Sequence, residues 1–431
     1  MSPDNESLAG FIKARYQKRV ADDHISNMLR AFGGVYIMGP KWCGKSWTGM
    51  NHSNSYFLVD EEDNADYADR HPKEALKGDF PRLIDEWQIV PKLWDVARRE
   101  VDFSDGPGIF IFTGSASPPK DSEEKIQHSG VGRFVRVMMR PMSLIESGRS
   151  SGAVSIARMF DGTERYEGRS TMNPSEAVKL ICRGGWPAGL KLDDDIAAMV
   201  PKSYVSMISG ADMSRIYGDS WKSSIMRRVI RSLARNSATE ATISTLVSDI
   251  ASEEERMSEP TAKKYLEILK DLYLIIEQEA WNPSPRSRTF LRTSPKRHFV
   301  DPSLAAAALG VGPEKLMADT RLAGFLFESL CYRDLCVYVE NSYGKVYHYR
   351  DKYNLEIDCI VGSEEGKWGA FEVKLGSSDF DNAAAKLLRL KKRMASDASE
   401  PAFLAILSAS GGGAYLRDDG IAVIPLDCLG P

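Results

Sequence analysis

Eight consecutive residues, Gly39-Pro40-Lys41-Trp42-Cys43-Gly44-Lys45-Ser46, satisfy the pattern GxxxxGK[ST] at every position. Glycines let backbone N–H groups wrap phosphate oxygens, a lysine reaches the β- and γ-phosphates, and the hydroxyl ligates Mg2+. A helix starting there adds its positive N-terminal end. The chemistry indicated is binding of ATP with Mg2+. The contacting stretch is Gly39, Pro40, Lys41, Trp42, Cys43, Gly44, Lys45, Ser46 and Trp47, with Lys45 catalytic and Ser46 on the metal.

Some 40 residues later an apolar run ends in Leu83-Ile84-Asp85-Glu86. Asp85 is placed to hold the magnesium shell, and Glu86 to polarise the attacking water as general base. Another run, Ile109-Phe110-Ile111-Phe112, ends in Thr113-Gly114-Ser115. Ser115 could sense the γ-phosphate or orient the water; a simple turn is the plainer reading. Next comes His128-Ser129-Gly130-Val131-Gly132-Arg133. Arg133 is either an arginine finger, in cis or from a neighbouring subunit, or a surface loop arginine.

A second constellation lies near the C-terminus. Leu355-Glu356-Ile357-Asp358-Cys359-Ile360-Val361 alternates like a strand, and Ala370-Phe371-Glu372-Val373-Lys374-Leu375 puts Glu372 and Lys374 on one strand face. Upstream, Glu328 ends the helical Gly324-Phe325-Leu326-Phe327-Glu328. Converging carboxylates bind a divalent metal, and a neighbouring lysine activates water or offsets developing phosphate charge. This set resembles the PD-(D/E)xK nuclease core. The resemblance implies Asp358 and Glu372 as ligands of a second divalent metal (Mg2+ or Mn2+), Lys374 as the catalytic lysine and Glu328 as the helix acid. A retained fold with an idle site is the alternative, since fold does not carry activity. Tyr349, Arg350 and Lys352 either contact a phosphate backbone or decorate a hairpin.

The elements that must position these residues are legible in part. Gly34–Met38, Tyr56–Val59, Arg82–Ile84 and Ile109–Phe112 are short apolar runs separated by helical stretches, as in a parallel sheet covered by helices. Near the C-terminus, strand-like pieces at 346–350, 355–361, 368–375, 402–408 and 421–425 and a helix at 381–396 form a second α/β unit. A chain of 431 residues is too long for one core. With 43% hydrophobic and 27% charged residues it reads as globular, and a net charge of −4 confines any polyanion contact to local basic patches. The six cysteines form no CxxC pair, so zinc and disulfide frameworks are not expected. No signal core or 18-residue apolar run is present, which points to a cytoplasmic protein without membrane contact.

The segments GPKWCGKSWT, PRLIDEWQIVPKLWDVARREVD, FIFTGSASP, HSGVGR and RPMSLIESG together resemble a prokaryotic AAA+ ATPase family that carries a C-terminal domain of unknown function. The resemblance covers most of the chain. It implies an AAA+ core with Lys45, Ser46, Asp85 and Glu86 in the roles given above and Ser115 at the sensor position.

Between the two constellations, Ser214–Arg235 carries Arg215, Lys222, Arg227, Arg228, Arg231 and Arg235 against Asp219 alone, with Ile225, Val229, Ile230 and Leu233 as an apolar face. It is either a solvated helix face or a phosphate-contacting surface. Thr242–Ile250 and Ala262–Leu274 read as two helices, the second preceded by a Ser258-Glu259-Pro260-Thr261 cap, and a strand and basic hairpin follow. This order resembles a winged helix, with Lys263 and Lys264 near the start of a recognition helix and Arg286, Arg288, Arg292, Lys296 and Arg297 in the wing.

The expected fold class is α/β: a P-loop AAA+ core, a helical lid and winged-helix middle, and a C-terminal restriction-endonuclease-like domain. The expected division is an N-terminal helical arm at 1–25, the ATPase core at 26–160, the lid at 161–212, the winged-helix-like domain at 213–300 and the nuclease-like domain at 301–431. The expected function is Mg2+-dependent ATP hydrolysis coupled to a DNA-binding, nuclease-like region, DNA being favoured over RNA. The alternative is a non-cleaving nucleotide-dependent switch that binds DNA or a protein. A homo-oligomer is required only if Arg133 acts in trans.

Overall fold

Apolar runs bounded by glycine, proline and polar turns form strands, and amphipathic stretches between them form the covering helices. The computed structural model describes residues 3–117, 130–210, 221–250, 257–282, 294–340, 344–395, 400–410 and 412–431. It divides into two units, Met1–Pro141 with Asp271–Tyr273, and Met142–Lys270 with Leu274–Pro431. Among the described residues, no helix is long and apolar enough to cross a membrane.

In the first unit, helices α1 (Pro3–Arg15) and α2 (Ala21–Ala31) precede strand β1 (Gly34–Met38). Helix α3 (Lys45–His52), β2 (Ser55–Leu58), β3 (Arg82–Asp85), α4 (Lys92–Asp102), β4 (Phe110–Gly114) and β5 (Phe134–Met138) follow. The strands form a wholly parallel sheet in the order β2-β3-β4-β1-β5. Alternation divides β1 between two cores: Val35 and Ile37 pack with Ile25, Met28 and Leu29 of α2, while Tyr36 packs opposite with Trp87, Trp94, Phe112 and Phe134. Both faces are therefore buried, as a parallel sheet requires. Strand β5 is absent from the sequence expectations. Arg136 at its centre interrupts the apolar run, and the strand is recognisable only once β1 supplies its pairing.

In the second unit, helix α5 (Pro174–Arg183) is capped by Asn173, whose side chain accepts from Glu176 N at 3.1 Å. It stops at Gly184, φ +69°, where a Cβ would lie 2.4 Å from Ser303 Oγ. Helices α6 (Ser223–Arg235), α7 (Ile243–Ile250) and α8 (Glu259–Asp271) are followed by the antiparallel hairpin β6 (Ile275–Gln278) and β7 (Lys296–Phe299), then α9 (Pro302–Leu309). The start of the expected basic helix, with Arg215 and Asp219, lies outside the described residues, as do Arg286, Arg288 and Arg292. Long helix α10 (Thr320–Glu340) leads into β8 (Lys345–Arg350), β9 (Glu356–Gly362), β10 (Trp368–Lys374), α11 (Phe380–Met394), β11 (Phe403–Ser408), β12 (Gly413–Leu416) and β13 (Ala422–Pro425). The sheet order is β8-β9-β10-β11-β13-β12, closed by a short strand at Gly168–Arg169. Strands β8, β9 and β10 are antiparallel neighbours, whereas β10, β11 and β13 run parallel. The stretches expected as a lid (161–212), a winged-helix-like domain (213–300) and a nuclease-like domain (301–431) belong to this second unit, apart from Asp271–Tyr273.

A buried charge cluster ties the second unit together. Arg333 of α10 donates to Asp301 Oδ2 at 2.8 Å and to Asp334 Oδ1 at 2.6 Å. Asp301 also accepts from Gly185 N at 3.0 Å and caps α9 through Ser303 N at 2.9 Å. Asp334 Oδ2 accepts from Leu144 N at 2.9 Å. One guanidinium thus fixes two buried carboxylates, each gripping backbone remote in sequence. Arg333→Leu leaves both uncompensated and is expected to destabilise this unit by about 3–5 kcal/mol. Urea unfolding followed by circular dichroism reads the loss, and an unshifted midpoint contradicts it.

Candidate functional site

The phosphate loop joins β1 to α3. Gly39 (φ +155°), Trp42 (φ +65°) and Gly44 (φ +102°) turn it. A Cβ at Gly39 would lie 2.1 Å from the Met139 carbonyl oxygen, so only glycine fits there. Lys45, 4% exposed, donates from Nζ to Pro40 O at 2.8 Å. The loop is braced by Arg19, which motif reading did not single out: its buried guanidinium donates to Cys43 O at 2.9 Å and to Arg140 O at 2.8 Å. Trp42 and Trp47 are exposed.

Because β1, β3 and β4 run parallel, their C-terminal ends share one sheet edge. Asp85 ends β3 and Thr113 lies in β4, and Thr113 Oγ1 donates to Asp85 Oδ1. Burial pushes the Asp85 carboxyl up to about 6; hydrogen bonds from Thr113 and Ser46 pull it back, and the charge of Glu86 adds to the rise. Glu86 sits in the left-handed region at φ +53°. Its Oε2 accepts from Ser115 Oγ at 2.7 Å and from Gln88 Nε2. The backbone N–H of Glu86 reaches Thr113 Oγ1 at 3.2 Å. Ser115 therefore holds the Glu86 carboxylate and is more than a turn residue. Thr113 and Gln88 are additions that the sequence signalled only by adjacency to the motifs. Left-handed loop backbone, a buried ammonium, and a hydroxyl hydrogen-bonded to a carboxylate fit a triphosphate with a divalent cation.

Arg133 lies elsewhere. It directly precedes β5, whose Phe134 pairs with Gly34 at the beginning of β1, so it occupies the sheet edge opposite the phosphate loop. A five-residue strand separates the two edges by about 15 Å. Its Nε donates to Asp102 Oδ1 at 2.8 Å. Of the readings left open for Arg133, this position does not suit a finger in cis. His128 and Ser129 lie outside the described residues.

In the second unit the expected metal set is divided between cations. Lys296, expected in an exposed basic wing, is 2% exposed. Its Nζ lies 2.8 Å from Glu328 Oε1, 2.9 Å from Glu356 Oε1 and 3.8 Å from Asp358 Oδ1. Arg297, also expected in the wing, is half-buried and is held by Glu277 Oε1 at 3.0 Å and Ala241 O at 2.6 Å. Alternation along β7 turns Lys296 inward, while the adjacent Arg297 lies on the other face beside its register partner Glu277. Tyr349 is buried against Trp281, and Arg350 pairs with Glu240 at 3.2 Å. Lys352 lies 5.0 Å from the Tyr353 ring centroid.

Glu372 is fully buried, with Oε2 held by Lys374 at 3.0 Å and by Lys386, an unforeseen partner on α11, at 3.1 Å. Burial, and then the Asp358 charge, push its carboxyl up to about 7. Val373 N donates to Asp358 Oδ2 at 2.8 Å. Glu328 is pushed up to about 8 by burial, against the pull of Lys296. Burial also works against the Lys296 ammonium, but Glu328, Asp358 and Glu356 outweigh it and hold its pKa well above the ordinary lysine value. Among the described residues no group of three or more His, Cys, Asp or Glu side chains is arranged to hold a metal ion. As arranged, Glu328, Asp358 and Glu372 do not fit one.

Comparison with known proteins bears on both regions. A family model described as an AAA domain matches residues 32–147. Two others, each described as a domain of unknown function (DUF8612 and DUF4143), match residues 175–315 and 323–429. Uncharacterized proteins Mb2031c of Mycobacterium bovis and Rv2008c of Mycobacterium tuberculosis are each 25% identical to the chain over 370 residues, 84% of it and 75% of their own length. Among solved structures, the Walker-type ATPase PABY2304 of Pyrococcus abyssi is 14% identical with a TM-score of 0.40, over 67% of this chain and 94% of that one. A replication initiator DnaA bound to AMPPCP and single-stranded DNA is 12% identical with a TM-score of 0.28, over 58% and 86%. The family match, the sheet order and the phosphate loop agree that residues 32–147 carry an AAA-type ATPase domain that binds ATP.

Two histidines lie beside the Lys296 cluster. His298 is buried between Ser329 Oγ and Gln278 Oε1, both at 3.0 Å, and burial holds its pKa well below the ordinary value. Burial, then Lys296, lower His348 to about 4. Both are neutral in the fold and protonate near pH 6.5 once unfolded. Stability is thus full above about pH 6.5 and falls as pH drops below it, by about 1.4 kcal/mol per pH unit for each histidine. His348→Phe is expected to shallow the decline of melting temperature between pH 6.5 and about 4. A slope equal to that of the parent contradicts this.

Proposed function

We propose that this chain hydrolyses ATP with Mg2+ and uses the cycle to change how its second unit engages nucleic acid, DNA in preference to RNA. The observation that carries the hydrolytic half is the Glu86 carboxylate held by Ser115 and Gln88 beside Asp85, on the sheet edge that carries the phosphate loop. Backbone N–H groups of the loop and the Lys45 ammonium would hold the phosphates, with Ser46 and Asp85 on the cation. Bound Mg-ATP supplies the phosphoryl group to be transferred and a divalent charge that offsets the phosphates. Glu86 takes the proton of the attacking water, and Ser115 fixes the carboxylate's orientation. Since Arg133 lies at the far edge, a finger role for it requires a second copy of the chain.

Support for the nucleic-acid half comes from α6 and α8. Arg227, Arg231 and Arg235 recur every four residues on one exposed face of α6, and Lys263 and Lys264 are exposed on α8. The order α7, α8, β6, β7 suits a winged helix. The triple change of Arg227, Arg231 and Arg235 to Ala is expected to weaken duplex DNA binding and to flatten its log–log salt dependence by about 3, near one unit per lost phosphate contact. An unchanged slope in fluorescence anisotropy counts against this surface.

A second reading adds metal-dependent cleavage. The order α10-β8-β9-β10-α11-β11, with Asp358, Glu372 and Lys374 on adjoining strands, supports a PD-(D/E)xK-like core. The Lys296 ammonium among the acids favours the non-cleaving form. Lys45→Ala is expected to reduce ATP turnover by at least about 100-fold. Turnover persisting in pure Lys45→Ala protein contradicts the nucleotide site.

A further inference from the structure

Carboxylates brought together in a protein interior demand positive charge. In the second unit Glu328 arrives on α10, and Glu356 and Asp358 arrive on one face of β9. The cation they meet is a side chain, Lys296, at the first position of β7. The β6–β7 hairpin sets its place: Lys296 pairs with Gln278, whose side chain donates to the Asp358 carbonyl at 2.9 Å. One ammonium faces three carboxyl groups. On the adjoining strand, one position beyond the Cys359–Phe371 pair, Glu372 Oε1 is buried and has no hydrogen-bond partner among the described residues. That oxygen is an unsatisfied acceptor on a carboxyl group that lies beside the cluster. Lys374 and Lys386 occupy only the other oxygen of Glu372.

We propose that Lys296 is a tethered cation standing in the divalent-metal position of the Glu328, Glu356 and Asp358 cluster, so that the site excludes metal while the β6–β7 hairpin is paired and accepts one when Lys296 is withdrawn. The proposal does not rest on ATP hydrolysis or on DNA cleavage. An ammonium keeps carboxylate oxygens at 2.8–2.9 Å here, whereas Mg2+ or Mn2+ would draw them in to about 2.0–2.2 Å. The two occupants are mutually exclusive on sterics as well as charge. Removal of the lysine charge leaves carboxyl groups that must take up protons or a cation, and a divalent ion competes for them.

The test is Mn2+ binding by the full chain without nucleotide, followed by electron paramagnetic resonance and by melting temperature. Wild type is expected to bind no Mn2+ that depends on Asp358. Lys296→Met is expected to gain one Mn2+ site at least about tenfold tighter than any in wild type, to be stabilised by the ion, and to lose the site when Glu328→Gln is added. Lys296→Met/Glu356→Gln, which removes one negative charge with the positive one, serves as the gentler variant. The proposal is overturned by wild-type Mn2+ binding that disappears in Asp358→Asn, or by a folded Lys296 variant that binds no more Mn2+ than wild type. Should neither variant fold, the wild-type comparison with Asp358→Asn decides alone.

Discussion

Charge taken out of water has to be compensated where it lies, and a lone buried ion costs several kcal/mol. That constraint organises both units. In the first, Asp85 is enclosed at the end of β3 and takes its compensation from the hydroxyls of Thr113 and Ser46, neutral donors that leave its charge free to answer a cation. In the second, Asp301 and Asp334 are closed around Arg333, while Glu328, Glu356 and Asp358 are closed around Lys296. Neutral donors make an exchangeable site, and a resident ammonium makes a filled one.

This difference separates two acid sites that look alike in sequence. Asp85-Glu86 and the Glu356/Asp358 pair both place carboxylates on a strand. What distinguishes them is a residue far away in the chain, Lys296, about 60 positions before Asp358. The neighbours of Asp85 come instead from the tip of an adjacent parallel strand and from the loop itself, and neither brings a positive charge against it. The basic face of α6 is a third case: Arg227, Arg231 and Arg235 stay in water, where compensation comes from solvent ions that a polyanion can displace.

How much was legible follows from how local each signal is. The phosphate loop reads directly because backbone turn, lysine and hydroxyl are contiguous, and β1 begins and ends at Gly34 and Met38 as its apolar run implies. Strands β9 and β10 and helix α11 were also readable from alternation and helical period. Arg133 stayed open between cis, trans and a plain loop position because distance along the chain hides which end of a parallel strand a residue occupies. Lys296 was misplaced because composition marks a segment basic without marking which side chains turn inward, and Arg297 is tied to Glu277 and Ala241, neither adjacent to it in sequence. Arg19 and Lys386 carried no motif, and Thr113, Gln88 and Glu356 lay inside quoted segments without a role of their own. Each is defined by a partner that only the tertiary fold supplies.

The central claim is that residues 32–147 hydrolyse ATP through the carboxylate of Glu86. The most direct measurement is single-turnover hydrolysis of radiolabelled ATP by Glu86→Gln, with nucleotide affinity measured on the same protein. The amide keeps acceptor capacity for Ser115 and removes the base, so ATP is expected to stay bound while hydrolysis slows by at least about 100-fold. Hydrolysis at the parental rate in a variant that still binds ATP would contradict the account.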